Sequence, residues 1–196
     1  LSHIERLESQ ENILKAKLEI VEGLDENGVL ILNANDPLLA HVEQSITQRI
    51  IYIGVDTPAD YMAHNVEDLG EEGVHFKVKL KHQEYDVQIP AVGKHNVYNV
   101  LFGIACGIEL GMSPEEILEG LKKYKPEKMR LNLTEIDGIK FINDSYNASP
   151  DSMRAELQVL GSLAKGGRAI ALLGNMFELG HMAASAHHDV GKMCVE

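Results

Sequence analysis

The segment IKFINDSYNASPDSMRAELQVLGSLA, residues 139–164, decides the fold class of this chain. Its first six residues, 139–144, have the apolar character of a short β-strand. Ser149 and Pro150 then supply the N-cap and the first position of a helix, which we predict from about 150 to 164. A strand that leads through a polar turn into a helix is the repeating unit of α/β proteins, so the segment predicts an α/β fold.

The sequence on either side continues this pattern. A strand at 131–136 precedes the first one and is joined to it by a two-residue turn, while a strand at 168–174 and a helix near 185–195 follow. Strands that alternate with helices usually form a parallel sheet with right-handed crossovers. We therefore expect such a sheet in this part of the chain.

The residues before Pro126 predict a second α/β unit, with a mixed sheet. Its predicted elements are a helix at 10–24, strands at 29–33 and 49–54, an antiparallel hairpin of 74–81 and 84–90, an apolar helix at 96–110, and a helix that begins at Ser113 and Pro114. Because the helix at 96–110 is apolar nearly all round, we expect it to be buried. Pro126 marks the boundary between domains 1–126 and 127–196.

Composition and charge exclude several classes of protein. The net charge is −12, and residues 1–126 hold 21 acidic against 11 basic side chains, so nothing resembles the basic stripe of a nucleic-acid-binding protein. No run reaches the roughly 20 apolar residues of a membrane span. Two cysteines 88 positions apart predict reduced thiols in a cytoplasmic protein. No secretory signal is visible, and the missing initial Met leads us to expect that the chain begins inside a longer protein.

Lys17 is anomalous on its predicted helix. On a helical wheel it falls in the middle of an arc formed by Ile13, Leu14, Ile20, Val21 and Leu24. A lysine on a buried stripe must extend its amine to water, find a partner or lose its charge. Two interpretations are open: a lysine at the helix edge that reaches solvent, and a lysine that serves a site.

The run GKHNVYN, residues 93–99, is a second candidate. Asn96 is a reasonable N-cap, but Asn99 is a strongly polar side chain in the first turns of a helix that we expect to be buried. A buried amide needs partners, and because it donates and accepts at once it matches the edge of an adenine base. A purely structural hydrogen bond is the alternative.

Polar residues also collect where the predicted strand at 139–144 ends. Asp144 lies at the strand end, where open α/β sheets bind ligands, and Tyr146 and Asn147 exceed what helix capping requires. Arg130 is a candidate phosphate clamp. The chain has neither a G-x-G-x-x-G nor a G-x-x-x-x-G-K-[ST] motif, which disfavours an NAD-dependent dehydrogenase and places no phosphate loop in this sequence.

Several of these runs together resemble the Mur ligases, the ATP-dependent amino-acid-adding enzymes of peptidoglycan synthesis. They are SHIERLESQENILKAKLEI (2–20), GKHNVYN (93–99), MRLNL (129–133), INDSYNASPDSM (142–153), LLGNMFELG (172–180) and HHDVG (187–191). The resemblance covers essentially the whole chain. It implies the distal part of the central ATPase domain, with a mixed sheet and an antiparallel hairpin, followed by the start of a Rossmann-like C-terminal domain.

The resemblance also implies roles for individual residues in catalysis and metal binding. His3 matches a histidine associated with Mg²⁺, and Lys17 matches a lysine that is commonly carbamylated in this family. A carbamate would replace the ammonium on the apolar stripe by a carboxylate-like Mg²⁺ ligand. Arg130 matches an arginine that faces phosphate.

A further set matches cofactor-binding positions of the family. Asn96 and Asn99 match positions on the adenine side of ATP, and Asp144 matches a carboxylate near the ribose hydroxyls. Tyr146 and Asn147 belong to the same motif as Asp144, without individual roles.

The reaction that the resemblance implies is phosphorylation of a substrate carboxylate by ATP with Mg²⁺, followed by attack of an amine on the acyl phosphate. The motifs DSYNA-x-P and LG-x-M-x-ELG resemble those of the family branch that adds D-Ala-D-Ala to UDP-MurNAc-tripeptide. The resemblance implies an enzyme that acts in the cytoplasm, does not bind nucleic acid and does not insert into a membrane. The phosphate loop is expected upstream of Leu1 and the rest of the last domain after Glu196. We therefore expect little or no ATP turnover from this chain alone.

Two alternatives stay open at this point. One is another Mur-type or folylpolyglutamate-type ligase, which would share the ATP chemistry and differ in its acceptor. The other is a non-catalytic nucleotide-binding or regulatory module without a phosphate loop.

Overall fold

The computed structural model describes residues 4–80, 82–125 and 127–195, apart from the side chain of Gln44. These residues form two compact units that divide between Tyr124 and Lys125, and the segment up to Ile13 groups with the second unit. Pro126 lies outside the described residues, so the domain boundary placed there stays a prediction.

A five-stranded mixed sheet is the centre of the first unit. Its strands lie side by side in chain order: β1 (Val29–Asn33), β2 (Arg49–Val55), β3 (Tyr61–Asp68), β4 (Val74–Leu80) and β5 (Gln83–Ile89). The first three are parallel, and β4 runs antiparallel to both β3 and β5. The predicted strands at 29–33 and 49–54 and the predicted hairpin are confirmed.

Strand β3 has no counterpart among the predicted elements. Its sequence, YMAHNVED, lacks a clean alternation of apolar and polar residues, and Ala63 is its one buried residue. The register against β4 shifts between His64 and Glu67, and Asn65 between them has a φ of 53°. This irregularity breaks the two-residue period on which strand prediction depends.

Helix α3 (Asn96–Glu109) covers one face of this sheet. Its buried residues include Val97, Leu101 and Ile104, which pack with the strand side chains into the main apolar core. Asn99, Gly103 and Cys106 recur on the opposite side of the helix and are exposed. The expectation that the whole helix is buried is therefore wrong, because an apolar sequence does not tell which side of a helix faces the sheet.

Helix α4 (Pro114–Leu121) packs on α3 and begins as predicted. Ser113 accepts from the Glu116 backbone N–H at 3.3 Å, and the Glu116 carboxylate accepts from the Ser113 N–H at 2.9 Å, a complete capping box. Gly107 allows the close approach, since a Cβ there would lie 2.9 Å from the Ile117 side chain.

The N-terminal helical region differs from its prediction. The structure has α1 (Ile4–Leu7), α2 (Gln10–Leu18) and a 3₁₀ segment at Glu19–Gly23 in place of one helix over 10–24. No residue of α2 is buried, and Ile20 is 65% exposed. Within the described chain, the apolar stripe inferred from the helical wheel is therefore only partly covered by other residues.

The second unit contains a hairpin and two helices. Strands β6 (Asn132–Ile136) and β7 (Ile139–Asn143) pair antiparallel, and α5 (Pro150–Ala164) and α6 (Ala183–Met193) follow as predicted. Met153 on α5 packs with Met176, Leu179 and two α6 residues in a small apolar cluster. The Glu5 N–H donates to the Glu178 carbonyl at 3.0 Å, which attaches α1 to this unit.

The described residues of this unit form no parallel sheet, contrary to the expectation. Residues 168–174 have the apolar sequence expected of a β-strand but form no strand in the structure, and Leu172 is 95% exposed. A strand is held by hydrogen bonds to a neighbour, and none of the described strands lies beside this segment. Asp144 consequently follows an antiparallel strand rather than a parallel one.

Among the described helices, none combines the length and the apolar character that crossing a membrane requires.

Candidate functional site

Arg130, Asp144 and Tyr146 meet at one end of the β6–β7 hairpin. The pairing of Asn132 with Asn143 places the residues just before β6 beside those just after β7. The Arg130 guanidinium carbon lies 4.2 Å from the centroid of the Tyr146 ring. Both side chains are exposed, so the stack presents a permanent positive charge to solvent in a restricted orientation.

Asp144 is fixed by the backbone opposite it. Its Oδ1 accepts from the Leu131 N–H at 3.1 Å, and Leu131 has a φ of 44°. Met129 is also left-handed, with a φ of 60°, and its N–H donates to Asn132 Oδ1 at 3.2 Å. Left-handed backbone costs a non-glycine residue about 1 kcal/mol or more. These two side-chain acceptors hold the strained segment that carries Arg130.

Glu156 joins this group from helix α5, and the sequence reasoning did not single it out. Its Oε1 is buried, and no hydrogen-bond partner for it occurs among the described residues. Burial, and then the hydrogen bond and charge of Asp144, raise the pKa of Glu156 to about 8, while Ser152 and Arg130 act in the opposite direction. The available signal was its position three residues from both Met153 and Val159, two of the buried residues of α5.

Several polar residues of the 144–153 run serve local structure. Ser149 and Ser152 form the capping box of α5, with the Ser152 N–H donating to Ser149 Oγ at 3.2 Å. Ser145 donates its hydroxyl to Asn143 Oδ1 at 2.8 Å. Asn147 is exposed. The capping prediction is confirmed, and Asp144 and Tyr146 are the residues of the run that reach Arg130 and Leu131.

Asn96 and Asn99 lie together at the start of α3. His95 is the N-cap, so the prediction that Asn96 caps the helix is wrong; its Nδ2 instead donates to the Val92 carbonyl at 2.8 Å. Asn99 donates to Asn96 Oδ1 at 3.1 Å. Asn99 is exposed, which corrects the expectation of a buried amide. Its accessibility leaves it able to contact a ligand.

Lys17 does not lie on a buried stripe. Its side chain is exposed on α2, a helix without buried residues, so the wheel argument for an awkward buried ammonium is wrong. His3 lies outside the described residues. Within the described ranges, no group of three or more His, Cys, Asp or Glu side chains could hold a metal ion.

His187 is engaged in structure through both ring nitrogens. Nδ1 lies 2.7 Å from the Ala183 carbonyl, which can only accept, and Nε2 accepts from the Met176 N–H at 3.2 Å. This assignment makes the ring neutral, with its proton on Nδ1. His187 therefore ties the 174–180 loop to α6 rather than offering a metal ligand.

Comparison with known families agrees with this architecture. Residues 1–107 match the Mur ligase middle domain, and residues 129–196 match the Mur ligase, glutamate ligase domain. The chain belongs to the Mur ligase family.

Individual relatives belong to one branch of that family. UDP-N-acetylmuramoyl-tripeptide–D-alanyl-D-alanine ligase of Bacillus subtilis (strain 168) is 42% identical over 97% of this chain, and that of Escherichia coli K12 is 31% identical over 97%. The chain covers 40% and 42% of the length of these two relatives, respectively.

Solved structures extend the similarity to the fold. MurF from Acinetobacter baumannii superposes with a TM-score of 0.90 at 31% identity, covering 99% of this chain and 42% of that one. MurF from Thermotoga maritima in complex with ADP has a TM-score of 0.84 at 21% identity, covering 97% of this chain and 43% of that one. The second similarity concerns the fold alone.

Proposed function

We propose that this chain is part of an ATP-dependent ligase that joins D-Ala-D-Ala to UDP-MurNAc-tripeptide in the cytoplasm. The observation that carries the proposal is the 42% identity, over 97% of the chain, to the Bacillus subtilis ligase of that name. The sequences DSYNASP and LGNMFELG, typical of this branch, support it. We assign residues 1–126 to the distal ATPase domain and 127–196 to the first part of the C-terminal domain.

In this proposal several of the predicted site residues contact ATP. The Arg130 guanidinium, oriented by Tyr146, binds phosphate oxygens, and the Asp144 carboxylate accepts hydrogen bonds from ribose hydroxyls. Asn147, exposed in the same run, belongs to this ATP-binding set. Asn96 and Asn99 contact the adenine edge with amides that both donate and accept. An arginine suits this place because its charge does not titrate and its planar fork matches phosphate.

The proposed reaction has two displacement steps. An oxygen of the tripeptide carboxylate attacks the γ-phosphorus of ATP. The bond between the γ-phosphorus and the oxygen that bridges the β- and γ-phosphates breaks, and ADP leaves. The amine of D-Ala-D-Ala then attacks the acyl carbon, inorganic phosphate leaves, and the amine loses a proton as the amide forms. Positive charge near the transferred phosphoryl group stabilises the first transition state, which is the role we give Arg130.

Mg²⁺ neutralises phosphate charge when it is bound in such reactions. The described residues do not assemble a complete site for it, since Lys17 is exposed and His3 lies outside them. That a carbamylated Lys17 and His3 hold Mg²⁺ stays a prediction.

A coupled assay on the full gene product tests the proposed function. Release of ADP and phosphate should require both UDP-MurNAc-tripeptide and D-Ala-D-Ala, and replacing the dipeptide by glutamate should abolish it. Turnover with glutamate instead would identify the folylpolyglutamate-type alternative. Nucleotide binding without turnover on any acceptor would favour the non-catalytic module.

A variant pair tests the Arg130 assignment in the same assay. R130M should lower kcat/KM by at least about tenfold, because a charge-assisted contact to phosphate is lost. R154M removes an exposed arginine of α5 that pairs with Asp151 at 3.8 Å, and should leave turnover within about twofold. Equal effects of the two variants would argue against a specific role for Arg130.

A further inference from the structure

The 174–180 loop, GNMFELG, contains a sequence motif to which the proposed reaction gives no role. Its side chains differ sharply in exposure: Met176 and Leu179 are buried, whereas Phe177 between them is exposed. The Met176 N–H donates to the ring of His187 on α6 at 3.2 Å. Two buried side chains and one hydrogen bond therefore fix the loop within its own unit.

The end of this loop contacts the short helix α1. The Glu178 carbonyl accepts from the Glu5 N–H at 3.0 Å. Glu5 lies in the first turn of α1, where backbone N–H groups have no acceptor within the helix, so the loop satisfies a donor that the helix cannot. Ile4, the residue before it, is buried. By sequence, α1 belongs to the middle domain and the loop to the glutamate ligase domain, so this contact joins two sequence domains within one unit.

Gly180 allows α1 to lie this close to the loop. Its φ is 52°, in the left-handed region that favours glycine. A Cβ at position 180 would lie 3.2 Å from the Cα of Glu5, closer than ordinary van der Waals contact. The backbone conformation of the loop and its distance to α1 therefore both require a residue without a side chain.

A tight corner at residues 8–12 joins α1 to α2. The Glu8 N–H donates to the Ile4 carbonyl at 2.7 Å, and Glu8 ends α1 with a φ of 66°. Ser9 Oγ then accepts from the Asn12 N–H at 3.1 Å, as an N-cap of α2 does. Asn12 Nδ2 donates back to the Leu7 carbonyl at 2.8 Å. These three hydrogen bonds restrict the direction in which α2 leaves α1.

We propose that Gly180 is a positioning residue. It admits α1 to the 174–180 loop, and the corner at residues 8–12 passes this placement on to α2, the helix that carries Lys17. The relevance of this role to catalysis rests on the proposed function, in which Lys17 is a predicted site residue. The GNMFELG sequence thus supplies a carbonyl and an open Cα against which the helix before Lys17 is held.

Hydrogen exchange in the ligand-free full gene product tests the contact directly. The Glu5 amide should be protected because it is bonded to the Glu178 carbonyl, and fragmentation mass spectrometry measures it at single-residue resolution. G180A should raise the exchange rate at Glu5 about tenfold or more, because the added Cβ displaces α1. A Glu5 amide that exchanges like an unstructured peptide in the unaltered protein would overturn the proposal without any variant.

G166A is the matched control for backbone strain. Gly166 is also left-handed, with a φ of 82°, but a Cβ there meets nothing within 4 Å. G166A should therefore destabilise the protein through its backbone, as G180A does, without changing the exchange rate at Glu5. Equal acceleration at Glu5 in the two variants would mean that α1 responds to stability alone, which contradicts the proposal.

N12A separates the docking of α1 from its effect on α2. The Glu5 amide should stay protected in N12A, because its acceptor is Glu178. The corner loses the bond to the Leu7 carbonyl, so kcat should fall at least about threefold as Lys17 is displaced. The KM for ATP should stay within about twofold, because none of the residues assigned to ATP binding lies on α1 or α2.

E11A changes the exposed neighbour of Asn12 and should leave kcat within about twofold. A kcat that is unchanged in both G180A and N12A would overturn the positioning role. A full gene product that shows no turnover with any acceptor would count against the proposed function alone, because the exchange measurement requires no substrate.

Discussion

The guanidinium group of Arg130 is stacked on the ring of Tyr146, 4.2 Å from its centroid, although Tyr146 is 65% exposed. A stack between two exposed side chains restricts the arginine, which would otherwise sample many rotamers in water. The orientation of the positive charge therefore depends on the aromatic face of a neighbouring residue.

We predict that Y146A weakens ADP binding to the full gene product by about two- to fivefold, the loss expected for an exposed cation–π contact. Y146F keeps the aromatic face and should bind within about twofold of the unaltered protein. Isothermal titration calorimetry measures both. An equal loss in Y146F would show that the hydroxyl group, rather than the stack, contributes the affinity.

The raised pKa of Glu156 predicts a specific pH dependence of stability. Between the ordinary carboxyl pKa of 4.5 and about 8, the folded state holds the Glu156 proton while the unfolded state releases it. The contribution of this group to the free energy of unfolding is therefore complete below the lower value and is lost as pH rises to the upper one.

E156Q removes this titration, so the stability of the unaltered chain relative to E156Q should fall by about 1–2 kcal/mol from pH 5 to pH 8.5, after allowance for solvent screening. Urea unfolding at several pH values measures the difference. E135Q, treated in the same way, should show no such trend. A relative stability that rises with pH would reverse the assigned sign and refute the raised pKa.

Two glycines of α3 form a matched pair for packing. A Cβ on Gly103 meets nothing within 4 Å, so G103A should stabilise the chain by about 0.5–1 kcal/mol through helix propensity. A Cβ on Gly107 would lie 2.9 Å from two atoms of the buried Ile117, so G107A should lower the free energy of unfolding by about 1 kcal/mol. Denaturant unfolding of both variants measures the difference. If G103A and G107A stabilise the chain equally, α4 can move away from α3 without cost, and the prediction is wrong.

The adjacent histidines of α6 form a second matched pair. H187A removes the acceptor of the Met176 N–H and should cost about 1–2 kcal/mol, with faster hydrogen exchange at Met176. His188 is exposed, so H188A should change stability by less than about 0.5 kcal/mol. A larger effect of H188A, or unchanged exchange at Met176, would be inconsistent with the assigned hydrogen bonds.

The features that the sequence predicted correctly are those with local signals. The starts of α4 and α5 follow from Ser-Pro caps, and the β4–β5 and β6–β7 hairpins follow from short turns between apolar runs. The cluster of Arg130, Asp144 and Tyr146 could be predicted for the same reason. In a hairpin, the residues just before the first strand lie beside the residues just after the second strand.

The features that escaped depend on distant parts of the chain. Whether Lys17 or Asn99 is buried depends on which side of a helix another element covers, and the helical wheel carries no such information. The segment 168–174 has strand-like residues but lacks a neighbour to pair with among the described strands. Glu156 was not predicted because Asp144, which contributes to its raised pKa, lies on another element. A single glutamate beside apolar residues is a weak sequence signal for a site.

The bond between Asp144 and the Leu131 N–H gives position 144 two duties. The same carboxylate that we assign to the ribose also holds a left-handed backbone, so D144A would release that backbone and lower the abundance of folded protein together with its affinity. D144N keeps a side-chain oxygen for Leu131 and removes the negative charge. A genetic screen that scores growth alone would therefore count a folding defect at this position as a lost ligand contact.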